Sequence, residues 1–384
     1  MAHDTDQNLH HGEITWSAPS NIALVKYWGK KENQLPCNAS LSLTLEKSRT
    51  QTTLSWAPRE NEKTNQLSFD FVFQQKEKKD FNGKIETLLK SHLLKNPHLC
   101  QIYFKYHFKI NSRNSFPHST GIASSASSMA ALALSFLSFE KLIKNEVAFP
   151  ELGSSEEQYT FWKNASEMAR LGSGSACRSV WPHAALWGIS DRKLIEDESD
   201  EYAVPLIGLH PIFKNYCDTI LIVESKPKSV SSSDGHKLIA EHPYKFERFK
   251  RANLRAQKML RILQTGDLEE FVLLIEREAM DLHALMMSSE NPYILMRPNT
   301  LAIIEKIRQF REDHKIPIGF TLDAGPNVHL LYPQEYFLIV SEWVEQDLAS
   351  LCTSSTESAK WIHDKVGEGP LYWHALDHGD KEFT

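Results

Sequence analysis

Four short segments of this chain carry residue types that can bind or move charge. The first is Phe116-Pro117-His118-Ser119-Thr120-Gly121-Ile122-Ala123-Ser124-Ser125-Ala126-Ser127-Ser128. Small residues let backbone N–H groups approach phosphate oxygens, and a helix beginning there adds about half a positive charge at its N-terminus. A Ser-rich turn capping a buried helix accounts for the same composition equally well. Neither G-x-x-x-x-G-K-[ST] nor G-x-G-x-x-G occurs in it, so the P-loop and Rossmann readings lack their fingerprints. The second segment, Arg170-Leu171-Gly172-Ser173-Gly174-Ser175-Ala176-Cys177-Arg178-Ser179, presents Arg178 among hydroxyls. A guanidinium is a planar fork that matches a carboxylate or a phosphate, although a surface Arg on a loop has the same local sequence. Cys177 has no partner His and reads as a small buried thiol rather than a nucleophile. The third, Ala18 to Lys30, ends in Lys26-Tyr27-Trp28-Gly29-Lys30: two lysines that bracket an anion or simply line a solvated strand edge. The fourth is Asp323, at an Ala324-Gly325-Pro326-Asn327 turn, where Asp is commonly a turn former bonded to its own backbone.

The elements that must position these residues follow from periodicity. Leu41, Leu43 and Leu45 alternate with Ser42 and Thr44. Leu67 to Phe73 repeats a period of two, and Ile102, Phe104, Tyr106, Phe108 and Ile110 form a third alternating run. Lys84–Lys95 reads as a helix after the turn-forming Asn82-Gly83, and Ser125–Phe139 as an apolar helix. A strand is expected over Asp218–Glu224. Asp267 with Glu270 suggests a capping box before the stripe Leu268, Phe271, Val272, Ile275, Ala279 and Leu282. A helix over Thr300–Arg311 would bury Leu301, Ile304, Ile307 and Phe310, and Ile318–Asp323 and Val328–Tyr332 make a strand-turn-strand unit. Strands first and helices later indicate an α+β class.

The chain has 384 residues and a net charge of −6, with 41% hydrophobic and 24% charged residues. Such a composition builds a core and argues against disorder, and the length suggests two domains. Without a basic stripe, nucleic acid is not an expected partner. Five scattered cysteines, none spaced C-x-x-C, suggest neither a disulfide framework nor a zinc site, which fits a reducing, cytoplasmic setting. No signal peptide is visible at Met1–Asp6. Asn114 to Phe139 lacks Asp, Glu, Lys and Arg over a length that nominally spans a bilayer. Its many Ser residues, with Pro117 and Gly121, argue against a membrane helix. No carboxylate cluster suggests a resident metal; His374 and His378, beside Asp377 and Asp380, are the only His pair at i,i+4 spacing.

Singly these segments are ambiguous, but together they have an order and spacing that resembles the mevalonate diphosphate decarboxylases of the GHMP kinase superfamily. The resemblance runs from about Ile14 to Pro370. It is carried by Lys26-Tyr27-Trp28-Gly29-Lys30, Leu35 to Ser42, Phe116 to Ala126, Gly172 to Ser179, Val230-Ser231-Ser232 and Asp323 to Asn327. It implies a two-domain GHMP-kinase-like fold, with an N-terminal domain like domain 2 of ribosomal protein S5 over 13–205 after a flexible tail at 1–12. A ferredoxin-like C-terminal domain over 206–384 would contribute Asp323. The implied reaction phosphorylates the tertiary 3-hydroxyl of mevalonate 5-diphosphate with ATP, then expels phosphate and CO2.

By the same resemblance Asp323 positions and deprotonates the hydroxyl, Lys26 lies near it and the transferring phosphate, and Arg178 holds the substrate carboxylate, oriented by Asn21. Tyr27, Lys30, Ser173 and Ser175 would contact the substrate. Gly121, Ser124 and Ser125 would cradle the ATP phosphates, and Ser232 would approach the γ-phosphate. Mg2+ would ride on ATP, and a homodimer is implied. The chain departs from the family pattern at Pro182-His183, where Gly-Gly is usual, at His118-Ser119-Thr120 in place of Thr-Ala-Ala, and at His236 in place of Met. These departures leave open a decarboxylase of mevalonate 5-phosphate or a mevalonate 3-kinase. A non-catalytic paralogue binding a nucleotide or isoprenoid phosphate is the alternative of another class. It has little use for a base.

Overall fold

Two long antiparallel strands organise the molecule: β1 (Gly12–Val25) and β2 (Ser40–Pro58). The computed structural model describes residues 11–59, 65–77, 79–116, 122–144, 146–151, 155–190, 192–225, 232–353 and 359–373. In chain order β3 (Phe69–Phe73), β4 (Lys76–Glu77), α1 (Lys79–Lys95), α2 (Cys100–Lys105), β5 (Tyr106–Asn114), α3 (Ser124–Leu142) and α4 (Glu156–Gly172) follow. A 3-10 segment, Gly174–Val180, leads into β6 (Ala184–Trp187) and β7 (Ala203–Pro205). Then come β8 (Cys217–Leu221), α5 (Ser232–Glu241), α6 (Lys245–Thr265), α7 (Leu268–Met287), α8 (Pro298–His314), β9 (Gly319–Thr321), β10 (Val328–Tyr332), α9 (Phe337–Trp343), β11 (Trp361–Lys365) and β12 (Leu371–Trp373). The first sheet runs β12-β1-β2-β5-β3-β4, with β6 and β7 continuing from β2; the second runs β11-β8-β10-β9. This mixed two-sheet architecture is the α+β class expected.

The β1–β2 ladder is interrupted where it matters. Pro19 pairs with Arg49, but Asn21 pairs with Thr44, so residues 45–48 leave the register and β1 bulges between Pro19 and Asn21. A register slip flips side chains between faces. Accordingly Ile14, Trp16 and Ala18 enter the core under α1, α3 and α4, whereas Ile22 and Leu24 enter a second core with Leu41, Leu43, Leu45 and residues of α6 and α7. Asn21 is thereby turned toward the Gly174–Val180 segment. The amides of Glu46, Lys47 and Ser48, released by the excursion, donate to the buried Asp364 carboxylate of β11 at 3.0, 2.8 and 2.7 Å. Arg49 donates to the carbonyls of Ser17 and Gly369, fastening the segment that leads to β12 onto the first sheet.

From Ser124 onward the charge-free stretch is α3. Every residue from Ala126 to Phe139 is buried, between the first sheet, α4 and the Gly174–Val180 segment. No helix among the described residues is long and apolar enough to cross a membrane. Asp267 caps α7 by accepting from the Glu270 N–H at 3.1 Å.

Four local expectations are corrected. The alternating run from Ile102 is a helix as far as Lys105 and a strand only from Tyr106. Within α2 the single buried side chain is Tyr103, which is outside the alternating set, stacked on Phe136 and donating to Glu140 at 2.6 Å, while Ile102 and Phe104 are only partly buried. Helix α1 starts at Lys79, running through Asn82-Gly83. Leu301 is 47% exposed because α8 rests on Ile303, Ile304, Ile307 and Phe310. Strand β8 ends at Leu221, before Glu224.

Candidate active site

Where β1 ends at Val25, Lys26 leaves the sheet and turns its side chain toward the second sheet. It is 2% exposed, and its ammonium donates to Asp323 Oδ1 at 2.9 Å, across 297 residues of sequence. Asp323 sits in the turn between β9 and β10, its side chain 26% exposed. The turn is shaped by Gly325 N–H donating to the Asp323 carbonyl at 2.7 Å, and that carbonyl also meets His283 Nε2 at 3.2 Å. The Asp323 carboxylate is thus committed to a cation from the other sheet, beyond the turn-forming role its sequence context allows.

Arg178, 2% exposed, lies in the 3-10 segment after α4. Its Nε and Nη2 both donate to Asn21 Oδ1 at 3.3 Å, and Nη1 donates to Ser40 Oγ. Asn21 is itself held by donating to Ser179 Oγ at 2.8 Å and to the Ser175 carbonyl at 3.1 Å, while Ser40 Oγ donates to the Val25 carbonyl at 2.6 Å. Burial pushes the Arg178 guanidinium below its ordinary range, a shift opposed by Cys177, Asp323 and Tyr27. An arginine so held remains a cation. It stacks over Trp187, 5.8 Å from the ring. The fork is therefore fixed in place by neutral partners, an arrangement suited to receiving an anion.

Tyr27 packs on Trp187 with ring centroids 4.6 Å apart and donates to the Gln34 carbonyl at 3.3 Å; burial raises its pKa, so the phenol stays neutral. Lys30 donates to Gln34 Oε1 at 3.2 Å. Gly174 lies under both rings, where a Cβ would come within 2.9 Å of Tyr27 and Trp187. Cys177 is fully buried, donates to the Gly174 carbonyl, and has its thiol pushed up to about 12 by burial, which removes it as a nucleophile.

Ser125 Oγ and Ser173 Oγ are 3.2 Å apart, joining the start of α3 to the Gly-Ser-Gly-Ser string. Ser124 opens α3 after Ala123, whose φ is +43°, and its carbonyl accepts from Ser128 at 2.7 Å. Gly121 lies outside the described residues, as do His118, Ser119, Thr120, Val230, Ser231, His374 and His378. Ser232 opens α5, but its side chain, like that of His236, is outside them too. Helix α5 docks on the site's flank: a Cβ on the buried Gly235 would meet the Trp28 ring at 2.4 Å. Trp28 shares a small core with Ile239, Leu282, Leu285, Met286, Leu295 and Ala324, the neighbour of Asp323.

His183, one of the departures from the family pattern, has φ +53°, a conformation that glycine adopts freely. It packs on Gly367 and Glu368. Asn38 and Ser40 lie in the Leu35 to Ser42 string, which by itself gives them no role, and Glu278, Arg248 and His283 lie outside every motif. These last three sit singly on the helices α6 and α7, and only the fold brings them to the site.

Among the described residues no group of three or more His, Cys, Asp or Glu could hold a metal ion. A single carboxylate beside Lys26, with no cage, fits a divalent cation that arrives on a triphosphate and keeps most of its ligands from phosphate and water.

Comparison with known proteins follows the same lines. Residues 18–200 match the diphosphomevalonate decarboxylase-like N-terminal domain, and residues 219–372 the mevalonate 5-diphosphate decarboxylase C-terminal domain. The diphosphomevalonate decarboxylase of Debaryomyces hansenii is 29% identical, the match covering 92% of this chain and 93% of that protein; the human one is 26% identical over 82% and 75%. A solved complex of MDDEF with MVAPP, AMPPCP and magnesium superimposes with a TM-score of 0.74 at 25% identity, covering 95% of this chain and 99% of the other. The mevalonate diphosphate decarboxylase from Legionella pneumophila gives 0.69 at 26% identity, over 92% and 100%. With matching models in both halves and relatives spanning nearly its whole length, this chain belongs to the diphosphomevalonate decarboxylase family.

Proposed function

We propose that this chain converts mevalonate 5-diphosphate and ATP into isopentenyl diphosphate, ADP, phosphate and CO2. The observation that carries this reading is the pairing of Lys26 with Asp323 next to a buried Arg178 fixed by Asn21. In the first step the 3-hydroxyl oxygen bonds to the γ-phosphorus as the bond from that phosphorus to the β,γ-bridging oxygen breaks. Asp323 takes the hydroxyl proton, and Lys26 offsets the charge on the transferring group. In the second step the C3–O bond breaks and phosphate departs. The C1–C2 bond electrons become the C2=C3 double bond, releasing CO2. Arg178 holds the carboxylate so that the C1–C2 bond stays aligned with the departing group.

Tyr27, Lys30, Ser173 and Ser175 line the side toward the diphosphate. Gly121, Ser124, Ser125 and Ser232 serve the triphosphate, in accord with the small-residue start of α3. Mg2+ bound to ATP would neutralise part of the triphosphate charge. The end of β1 and the segment after α4 supply Lys26 and Arg178, and the turn between β9 and β10 of the second sheet supplies Asp323. A cytoplasmic homodimer fits the family, and the five free cysteines fit a reducing compartment.

The test is incubation with ATP, Mg2+ and, in separate reactions, mevalonate, mevalonate 5-phosphate and mevalonate 5-diphosphate, with ADP and CO2 assayed independently. Both products from the diphosphate support the proposal. CO2 only from the monophosphate would reassign the substrate, and ATP binding without turnover would make the chain a sensor.

A further inference from the structure

We propose that Glu278 of α7, together with Arg248 of α6, is a positioning pair that grips the peptide of Lys26 and so holds its ammonium at the place where phosphoryl transfer needs it. The inference rests on the role given above to Lys26 and Asp323. Because β1 stops at Val25, the N–H and C=O of residue 26 have no partner in the sheet. The N–H donates to Glu278 Oε2 at 3.0 Å, and the C=O accepts from Arg248 Nη2 at 3.2 Å and from Asn38 Nδ2 at 3.2 Å. Arg248 binds Glu278 with both prongs at 2.8 Å, so carboxylate, guanidinium and the backbone of residue 26 form one closed ring. Arg255 closes the outer side, donating to Glu278 at 2.7 Å and to Asp281 at 2.5 Å.

Glu278 is fully buried and Arg248 3% exposed. Desolvating such charges is costly, and apolar side chains of equal volume stabilise a helix junction at least as well. Stability alone therefore does not account for ions at this spot. Their geometry does, since they satisfy the N–H and C=O of one residue, the one that carries the Lys26 ammonium. Five residues along the same helix the buried His283 bonds the Asp323 carbonyl. Helix α7 thus touches the backbone of both members of the Lys26–Asp323 pair and sets their separation. Displacing a reacting group by about 1 Å costs on the order of 10²-fold in rate.

Glu278→Gln keeps the shape but weakens the ring, and Glu278→Asp keeps the charge while withdrawing the carboxylate from the Lys26 N–H. For each variant that melts cooperatively, kcat is expected to fall at least tenfold with KM for ATP and for the organic substrate within threefold. Amide hydrogen exchange across residues 23–30 is expected to rise at least tenfold. If Glu278→Gln fails to fold, Glu278→Asp carries the test. A folded variant with kcat within twofold of wild type overturns the proposal, as does a rate loss without faster exchange at 23–30. An inactive wild-type enzyme would remove the reaction proposed above, while the exchange measurement would still decide whether Glu278 holds Lys26.

Discussion

Lys26, Asp323, Arg178 and Asn21 were singled out by the resemblance that several strings carry together, none of them decisive alone, and the fold brings Lys26 to Asp323 and Asn21 to Arg178. The residues that hold them were not. Glu278 reaches Lys26 across 252 residues, from a helix whose amphipathic pattern gives no sign of a buried ion. Asp323→Asn removes the proton acceptor while keeping the turn and a partner for Lys26. Turnover is expected to drop by about 10³-fold, within the range assigned to general-base catalysis, with ATP affinity measured by calorimetry changed less than threefold. Unaltered turnover would take Asp323 out of the mechanism. Arg178→Lys replaces a fork held by Asn21 and Ser40 with a single-point ammonium. A loss of about 10²-fold in kcat/KM for the organic substrate, with KM for ATP little changed, is the expected pattern.

At the scale of elements, composition located α3 but could not say why an apolar helix should carry so many serines. The fold answers this: Ser127 and Ser128 bond Thr50 of β2 or the helix's own first turn, Ser138 accepts from Trp16, and Ser125 meets Ser173. Buried hydroxyls are tolerated here because each has a partner. Pro19 inside β1 hinted at an interruption of the ladder, but its partner was not legible: residues 45–48 of β2 leave the ladder, and the amides of 46, 47 and 48 meet Asp364. Helix α5 depends on Gly235 lying flat on Trp28. Gly235→Ala should lift it, costing about 1–3 kcal/mol of overpacking by urea denaturation. It should also raise KM for ATP severalfold if Ser232 works from the start of that helix.

For the molecule as a whole, a net charge of −6 coexists with two buried cations, Lys26 and Arg178, at the proposed site. Its acid tolerance is set in part beneath that site. Burial pushes the Glu278 carboxyl up, but Arg248 and Arg255 outweigh it and hold the group down at about 2, below the roughly 4.3 of an unfolded Glu. A depressed folded-state value stabilises the protein above the unfolded pKa, and that contribution is lost as pH falls from about 5 toward 2. The melting-temperature gap between wild type and Glu278→Gln is therefore expected to narrow between pH 6 and pH 3; a constant gap would deny the linkage. The central claim is that phosphorylation at C3 and loss of CO2 occur on one enzyme. The most direct measurement is the ratio of CO2 to ADP released from ATP and mevalonate 5-diphosphate labelled at the carboxyl carbon. A ratio of one is the expected result, and ADP formed without CO2 would contradict the account.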